Sequence, residues 1–100
     1  MGWLEVITPD NKRQNVEPIT KLAHISSIER FAASKGMDFC LDEMMDYPSN
    51  IIKKCDELIS QIKGTGTPYL GKILKGVKDL VIPFVEEDSE EEFEIYFFYC

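Results

Sequence analysis

A single histidine, three cysteines and two groups of carboxylates are the side chains of this 100-residue sequence that suit catalysis or metal binding. His24 stands alone, and no serine or cysteine near it forms the pattern of a nucleophile and its base. Cys40, Cys55 and Cys100 are widely spaced, so the sequence contains neither a CxxC zinc knuckle nor a redox pair. These observations favour a structural role for His24 and a protein that is not an enzyme.

The spacing G-x-x-x-x-G-K of a phosphate-binding loop occurs from Gly66 to Lys72. In nucleotide-binding proteins the next residue carries a hydroxyl that holds magnesium, whereas here it is Ile73. Pro68 removes one of the amides that would bind phosphate, and the segment follows a predicted helix rather than a strand. The sequence therefore favours a connection between two helices over a nucleotide site.

The carboxylates are concentrated in two stretches. The first contains Asp38, Asp42, Glu43 and Asp46, and no Lys or Arg occurs between residues 36 and 52. Such oxygens suit hard cations, but the spacing of a calcium-binding loop is absent. The second stretch consists of Glu86, Glu87, Asp88, Glu90, Glu91, Glu92 and Glu94.

The second acidic stretch accounts for the whole charge imbalance of the chain. Residues 1–85 contain 11 acidic and 11 basic residues, whereas residues 86–100 contain seven acids and no base, so the net charge is -7. The stretch lies between two segments predicted to be ordered, where self-repulsion costs stability. We therefore expect it to meet a basic partner and to speed their encounter. The alternative is a solvated loop that only aids solubility.

Composition argues against several other classes of function. Nucleic-acid binding needs a surplus of basic residues, and Lys72, Lys75 and Lys78 form only a modest basic stripe. No apolar run approaches the roughly 20 residues that a bilayer requires. No signal peptide is recognisable after Met1, which together with the unpaired cysteines indicates a reducing cytoplasm.

The apolar periodicity predicts a helix over residues 51–63 most strongly. Its stripe repeats at helical spacings, and its opposite face is charged. Ser49 is the predicted N-cap and Gly64 the predicted end of this helix. We expect Cys55 to be a buried side chain, because it belongs to the stripe. The stripe consists of Ile51, Cys55, Leu58 and Ile62.

An earlier helix is predicted by a capping box. Ser26 and Glu29 have the spacing of such a box, and Gly36 is placed where a helix commonly ends. The sequence therefore predicts a helix from Ser26 to about Lys35. Residues 17–25, just before it, fit either a helix or a strand.

A third helix is predicted to begin at Thr67 and Pro68, since proline suits the first helical turn. Its apolar face extends to Leu80. Residues 81–85 then have strand-forming composition, although Pro83 would restrict such a strand to the edge of a sheet.

The remaining segments predict a small sheet. Residues 3–7, 37–41 and 93–99 are β-favouring, whereas residues 12–16 are polar and predicted to form a loop. A C-terminal hairpin would pair residues 81–85 with 93–99. The predicted fold is therefore a single α+β domain over residues 1–100, in which a small antiparallel sheet is covered on one face by two or three amphipathic helices.

The charge distribution predicts a protein that binds a basic protein partner, as an inhibitor or immunity protein does. Proteins of that type neutralise a basic effector, such as a nuclease toxin, by imitating the charge of its nucleic-acid substrate. Tyr47, Phe93 and Tyr96 would supply aromatic anchors. The predicted partner-binding residues are Glu86, Glu87, Asp88, Glu90, Glu91, Glu92, Glu94, Asp38, Asp42, Glu43, Asp46 and Tyr47.

Two other hypotheses are compatible with the sequence. The first is self-association through an open strand edge at residues 81–85 or 93–99. The second is a small enzyme that uses surface carboxylates or His24. We expect no cofactor, no metal, no nucleic acid and no membrane among the binding partners.

Overall fold

The computed structural model describes residues 2–17, 20–63, 66, 68–85 and 91–99. These residues form a four-stranded antiparallel sheet and three helices, so the predicted α+β class is confirmed. In chain order the elements are β1 (Gly2–Ile7), β2 (Arg13–Asn15), α1 (Leu22–Ser34), β3 (Glu43–Asp46), α2 (Pro48–Ile62), α3 (Pro68–Val85) and β4 (Phe93–Tyr99).

The last strand in the chain occupies the interior of the sheet, whose strand order is β2-β1-β4-β3. β4 pairs with β1 so that Leu4 lies opposite Phe97, and with β3 so that Met44 lies opposite Ile95. Alternate residues of a strand point to opposite faces. One face of the sheet therefore contributes Leu4, Val6, Phe93, Ile95 and Phe97 to the core, and all five are buried.

All three helices pack on this buried face. α2 and α3 form an antiparallel hairpin, since Asp56 contacts Lys78 while Gly71 faces Ile62. Their apolar stripes join the sheet residues in one hydrophobic core, to which α1 adds Ile28 and its neighbours. The predicted burial of Cys55 is confirmed, because its side chain is fully enclosed in this core.

The strand predicted over residues 81–85 is wrong, because α3 continues to Val85. Leu74, Val77 and Val81 follow one another at helical spacing, and all three are fully buried. Burial of this continuous stripe outweighs the local strand preference of the segment, and Pro83 is accommodated in the last helical turn.

The C-terminal hairpin and the open edges predicted with it are also wrong. Residues 81–85 are helical, and β4 is flanked by β1 and β3. Neither segment therefore presents a free strand edge. The exposed edges of the sheet belong instead to β2 and β3, which are three and four residues long.

Two other strand assignments differ from the predictions. Residues 13–15 form β2 rather than a loop, since a turn closed by a bond from the Thr8 N–H to the Lys12 carbonyl (2.9 Å) directs the chain back along β1. Residues 37–41 are not a strand, and the strand begins six residues later than predicted, at Glu43 in β3. Pairing with β4, rather than local composition, decides where these strands lie.

The helix starts also differ from those predicted. α1 begins at Leu22 with Lys21 as its N-cap, so Ser26 lies within the helix and the capping box predicted there is wrong. α2 begins at Pro48 with Tyr47 as its N-cap, which replaces the predicted Ser49. Pro68 begins α3 as predicted. Residues 18, 19, 64 and 67 lie outside the described residues.

Two glycines of α3 are expected to respond in opposite ways to replacement by alanine. A Cβ atom at Gly76 would lie 1.9 Å from the Glu17 carbonyl oxygen, whereas one at Gly71 would meet only Ile62, at 3.9 Å. We expect Gly76→Ala to lower the free energy of unfolding by about 1–3 kcal/mol through overpacking. Gly71→Ala should raise it by up to about 1 kcal/mol, because alanine favours the helix. Urea unfolding curves check both values, and effects of equal sign would contradict this packing.

Candidate partner-binding site

The pairing of β3 with β4 brings parts of the two acidic stretches together. Glu43 lies opposite Tyr96, and Met45 lies opposite Glu94, all on the face of the sheet that points away from the helices. Glu92, one residue before β4, is exposed. Carboxylates separated by about fifty positions in the sequence therefore share one surface.

This second face of the sheet, which we call the outer sheet face, is unusually apolar. An antiparallel sheet with one solvated face normally places polar side chains on it. Here five apolar or aromatic side chains alternate with the core positions, and no described helix packs on them. The outer sheet face consists of Trp3, Glu5, Ile7, Arg13, Asn15, Glu43, Met45, Glu94, Tyr96 and Phe98.

Phe98 is the centre of an aromatic cluster on the outer sheet face. Trp3 stacks on it with ring centroids 5.5 Å apart and an interplanar angle of 12°, and the Tyr96 ring lies 4.7 Å from it. The Arg13 guanidinium carbon lies 4.4 Å from the Phe98 centroid, a cation–π contact. Trp3 nevertheless remains 36% exposed, so the cluster is ordered and still accessible.

Glu5 connects the cluster through hydrogen bonds. Its carboxylate accepts the indole N–H of Trp3 and, at 2.9 Å, the Nε–H of Arg13. These bonds compensate the charge of the nearly buried Glu5. The carboxylates of the outer sheet face that remain for an external partner are therefore Glu43 and Glu94.

Asp46 has a structural role at the start of α2. Its Oδ1 accepts the backbone N–H of Tyr47 (2.8 Å) and the side-chain amide of Asn50 (3.0 Å), while Oδ2 lies 3.0 Å from Lys54 Nζ. Desolvation alone would raise the pKa of Asp46, but the bonds to Asn50 and Lys54 lower it below its ordinary value. This carboxylate is already occupied within the fold.

The other predicted site residues lie around the β3 edge. Asp38, Asp42 and Tyr47 are exposed, and the Asp42 carbonyl accepts the Phe97 N–H at 3.0 Å. The anchor role predicted for Phe93 is wrong, because its ring is fully buried and packs edge-on against Phe84. Glu86, Glu87, Asp88 and Glu90 lie outside the described residues, whereas Glu91, Glu92 and Glu94 lie within them.

His24 caps the first turn of α1. Its Nδ1 accepts the backbone N–H of Lys21 at 3.0 Å. The centroid of its ring lies 4.6 Å from the ring centroid of Tyr69. Desolvation and the charge of Lys21 lower the pKa of His24 below 6.5. These contacts give the histidine a structural function at the helix terminus.

The cysteines and carboxylates show no metal-binding geometry within the described part of the chain. No group of three or more His, Cys, Asp or Glu side chains there is positioned to hold a metal ion. Burial, together with the charge of Asp56, raises the pKa of the Cys55 thiol to about 12. The exposed Cys40 donates a hydrogen bond to Glu29 Oε1 at 3.2 Å. Cys100 lies outside the described residues.

No known protein family, curated protein or solved structure matches this chain. Among the residues that the structure describes, no helix is long and apolar enough to cross a membrane. Function is therefore inferred from the arrangement of the side chains alone.

Only part of the aromatic cluster is predicted from the sequence. Tyr96 is predicted to be an aromatic anchor, whereas Trp3 and Phe98 are predicted only to lie in strands and Met45 carries no prediction. Tyr96 and Phe98 alternate with the core residues of β4, so this segment is apolar on both faces. That signal indicates either a covered strand or an exposed apolar surface.

The stability of the fold should depend on the protonation of His24. Because the pKa of His24 is lowered in the folded state, the unfolded chain binds the proton more tightly. The contribution of His24 to the free energy of unfolding is therefore fully present above pH 6.5. It is lost as the pH falls through the lower, folded pKa. We expect His24→Gln, which keeps an acceptor at this position but does not titrate, to show a smaller loss of stability between about pH 7.5 and 5.5. Urea midpoints at both pH values test this, and equal losses in the two proteins would contradict the capping role.

Alkylation should distinguish the two described thiols. Desolvation raises the pKa of the Cys40 thiol, but its side chain is exposed, whereas Cys55 is buried and has a pKa of about 12. We therefore expect iodoacetamide, which reacts with thiolates, to modify the folded protein slowly at Cys40 at about pH 8 and to leave Cys55 unmodified. Both sites should react after unfolding in urea. Peptide mass spectrometry identifies the modified positions, and rapid labelling of Cys55 in the folded state would contradict its complete burial in the core.

Proposed function

We propose that this protein binds and neutralises a basic protein partner, as an inhibitor or immunity protein does, and that the outer sheet face is its contact surface. The observation that carries this proposal is the aromatic cluster of exposed Trp3 and half-buried Tyr96 and Phe98, which lies beside the carboxylates of Glu43 and Glu94. Exposed apolar patches with polar rims mark interaction sites.

The aromatic cluster has the properties of an interface anchor. Trp and Tyr are enriched among the residues that contribute most to binding, because they remove large areas from water. Stacking on Phe98 and the bond to Glu5 hold Trp3 in place before any partner arrives. Such preorganisation reduces the entropy that must be lost on binding.

The charges beside the cluster favour a basic partner. Arg13, the basic residue of the outer sheet face, is already paired with Glu5. Glu94 on β4 and Glu43 on β3 are separated from Arg13 by strand β1. The exposed Glu92 extends the negative surface towards the acidic stretch. A nuclease toxin is a suitable partner, since its substrate-binding surface attracts phosphates and would attract these carboxylates in the same way.

We place this activity in a reducing cytoplasm. Cys40 and Cys55 are both free thiols, and the core that the described residues form is built from apolar side chains without a disulfide. A partner that acts on nucleic acid in the same compartment would be neutralised where its substrate is found.

The proposal is tested by parallel affinity capture from lysate of the native host. The baits are the wild type, Trp3→Ala and the double variant Glu43→Gln/Glu94→Gln, each used at low salt and at about 0.5 M salt. We expect the wild type to retain a basic protein at low salt and to lose it as salt rises. Trp3→Ala should weaken its binding about tenfold or more, because an aromatic anchor is removed.

A charge-matched variant controls for net charge. Glu17→Gln/Glu57→Gln removes the same number of charges from exposed positions elsewhere and should retain the partner. Urea curves establish that all baits are folded. The captured protein is then purified, and its own activity should fall on titration with the wild type but not with Trp3→Ala. A protein retained equally by every bait, or one whose activity is unaffected, would contradict the proposal.

A further inference from the structure

A second surface, basic where the outer sheet face is acidic, lies on the exposed side of the α2–α3 hairpin. The two helices enclose a groove of about 640 Å³, which we call the helix groove. Ligand sites in proteins commonly have volumes of about 300–1,000 Å³. The apolar residues that line the groove are Ile59, Ile62, Pro68, Gly71 and Ile82.

The helix groove is basic although the protein is acidic. Four of the nine lysines of the chain line it, namely Lys63, Lys72, Lys75 and Lys78. Lys78 forms an ion pair with Asp56, with Nζ and Oδ1 2.5 Å apart. The other three lysines form no ion pair with another residue among 2–17, 20–63, 66, 68–85 and 91–99.

The charges are unevenly distributed along the helix groove. Lys63 and Lys72 lie near the connection between the helices, where the N-terminus of α3 adds a partial positive charge, and Lys75 follows Lys72 about one helical turn further along. Asp79 and Ile82 lie towards the other end. An occupant would therefore place an anionic group near the connection and an apolar part further along the groove.

Gly71 is the residue that keeps the floor of the helix groove open. Packing does not require it, because an added Cβ would meet only Ile62, at an ordinary contact distance of 3.9 Å. Gly76 differs, since the backbone of Glu17 leaves no room for a side chain there. A glycine within a helix costs about 1 kcal/mol relative to alanine. Among the residues that the structure describes, no close contact at Gly71 offsets this cost, which points to a requirement for space.

We propose that the helix groove binds a small amphipathic anion, consisting of an apolar chain and a carboxylate. The chain lies over Ile59, Ile62 and Ile82, where it removes apolar surface from water. The carboxylate is bound by the ammonium groups of Lys72 and Lys75. This site is formed by the helices, whereas the proposed partner surface is formed by the sheet, so each can be disrupted without the other.

Calorimetric titration with two amphiphiles of equal chain length tests the proposal. The probes are dodecanoate and dodecyltrimethylammonium, both used below the concentrations at which they form micelles. We expect dodecanoate to bind one site in the wild type and the cationic amphiphile to bind at least about tenfold more weakly, because the groove repels its charge.

Two variants locate the binding site. Gly71→Leu places a side chain on the floor of the groove, and we expect it to weaken dodecanoate binding by about tenfold or more. Lys72→Gln/Lys75→Gln should weaken it by about three- to tenfold, as expected for two exposed charges. The matched control, Lys12→Gln/Lys53→Gln, removes two lysines outside the groove and should bind dodecanoate as the wild type does.

Several results would overturn this inference. They are the absence of saturable dodecanoate binding to the wild type, equal affinity for the two amphiphiles, and unchanged affinity in Gly71→Leu. Urea unfolding shows whether each variant is folded, and Gly71→Ala provides a folded reference with the groove nearly intact. Capture of a basic partner by Gly71→Leu should match the wild type, because the outer sheet face is unaltered.

Discussion

The pairing of β4 between β1 and β3 is the interaction on which the rest of the structure depends. It joins the last strand that the structure describes to the first one and to the strand between α1 and α2. The edge strands β2 and β3 are too short to form a sheet without these central strands. Since the contacts are far apart in sequence, the sheet can form only when both ends of the chain are in place.

The same strand also separates the two faces of the molecule. Phe93, Ile95 and Phe97 are buried against the helices, while Tyr96 and Phe98 contribute to the outer sheet face. A one-residue shift in register would exchange these sets and place the aromatic cluster in the core. Stability and the proposed recognition surface therefore depend on one register.

The protein presents two surfaces of opposite charge and similar apolar character. The outer sheet face carries the carboxylates of Glu43 and Glu94 beside an aromatic cluster, and the helix groove carries lysines beside isoleucine side chains. The electrostatic potentials of the two surfaces differ in sign, which favours a basic partner at the outer sheet face and an anionic ligand at the helix groove. The core between the surfaces keeps them apart, because the sheet and the α2–α3 hairpin pack on each other through it.

The sequence by itself determined the elements whose apolar pattern is local and strong. The stripe of α2 predicts its helix and the burial of Cys55, Pro68 predicts the start of α3, and the strand-forming composition of residues 93–99 predicts β4. Only the tertiary structure decided that residues 81–85 remain helical and that β3 begins at Glu43. The reason is that burial against distant partners outweighs local preferences of about 1 kcal/mol or less. It likewise decided which aromatic residues stay exposed, since the face that each side chain occupies is set by the register of β4.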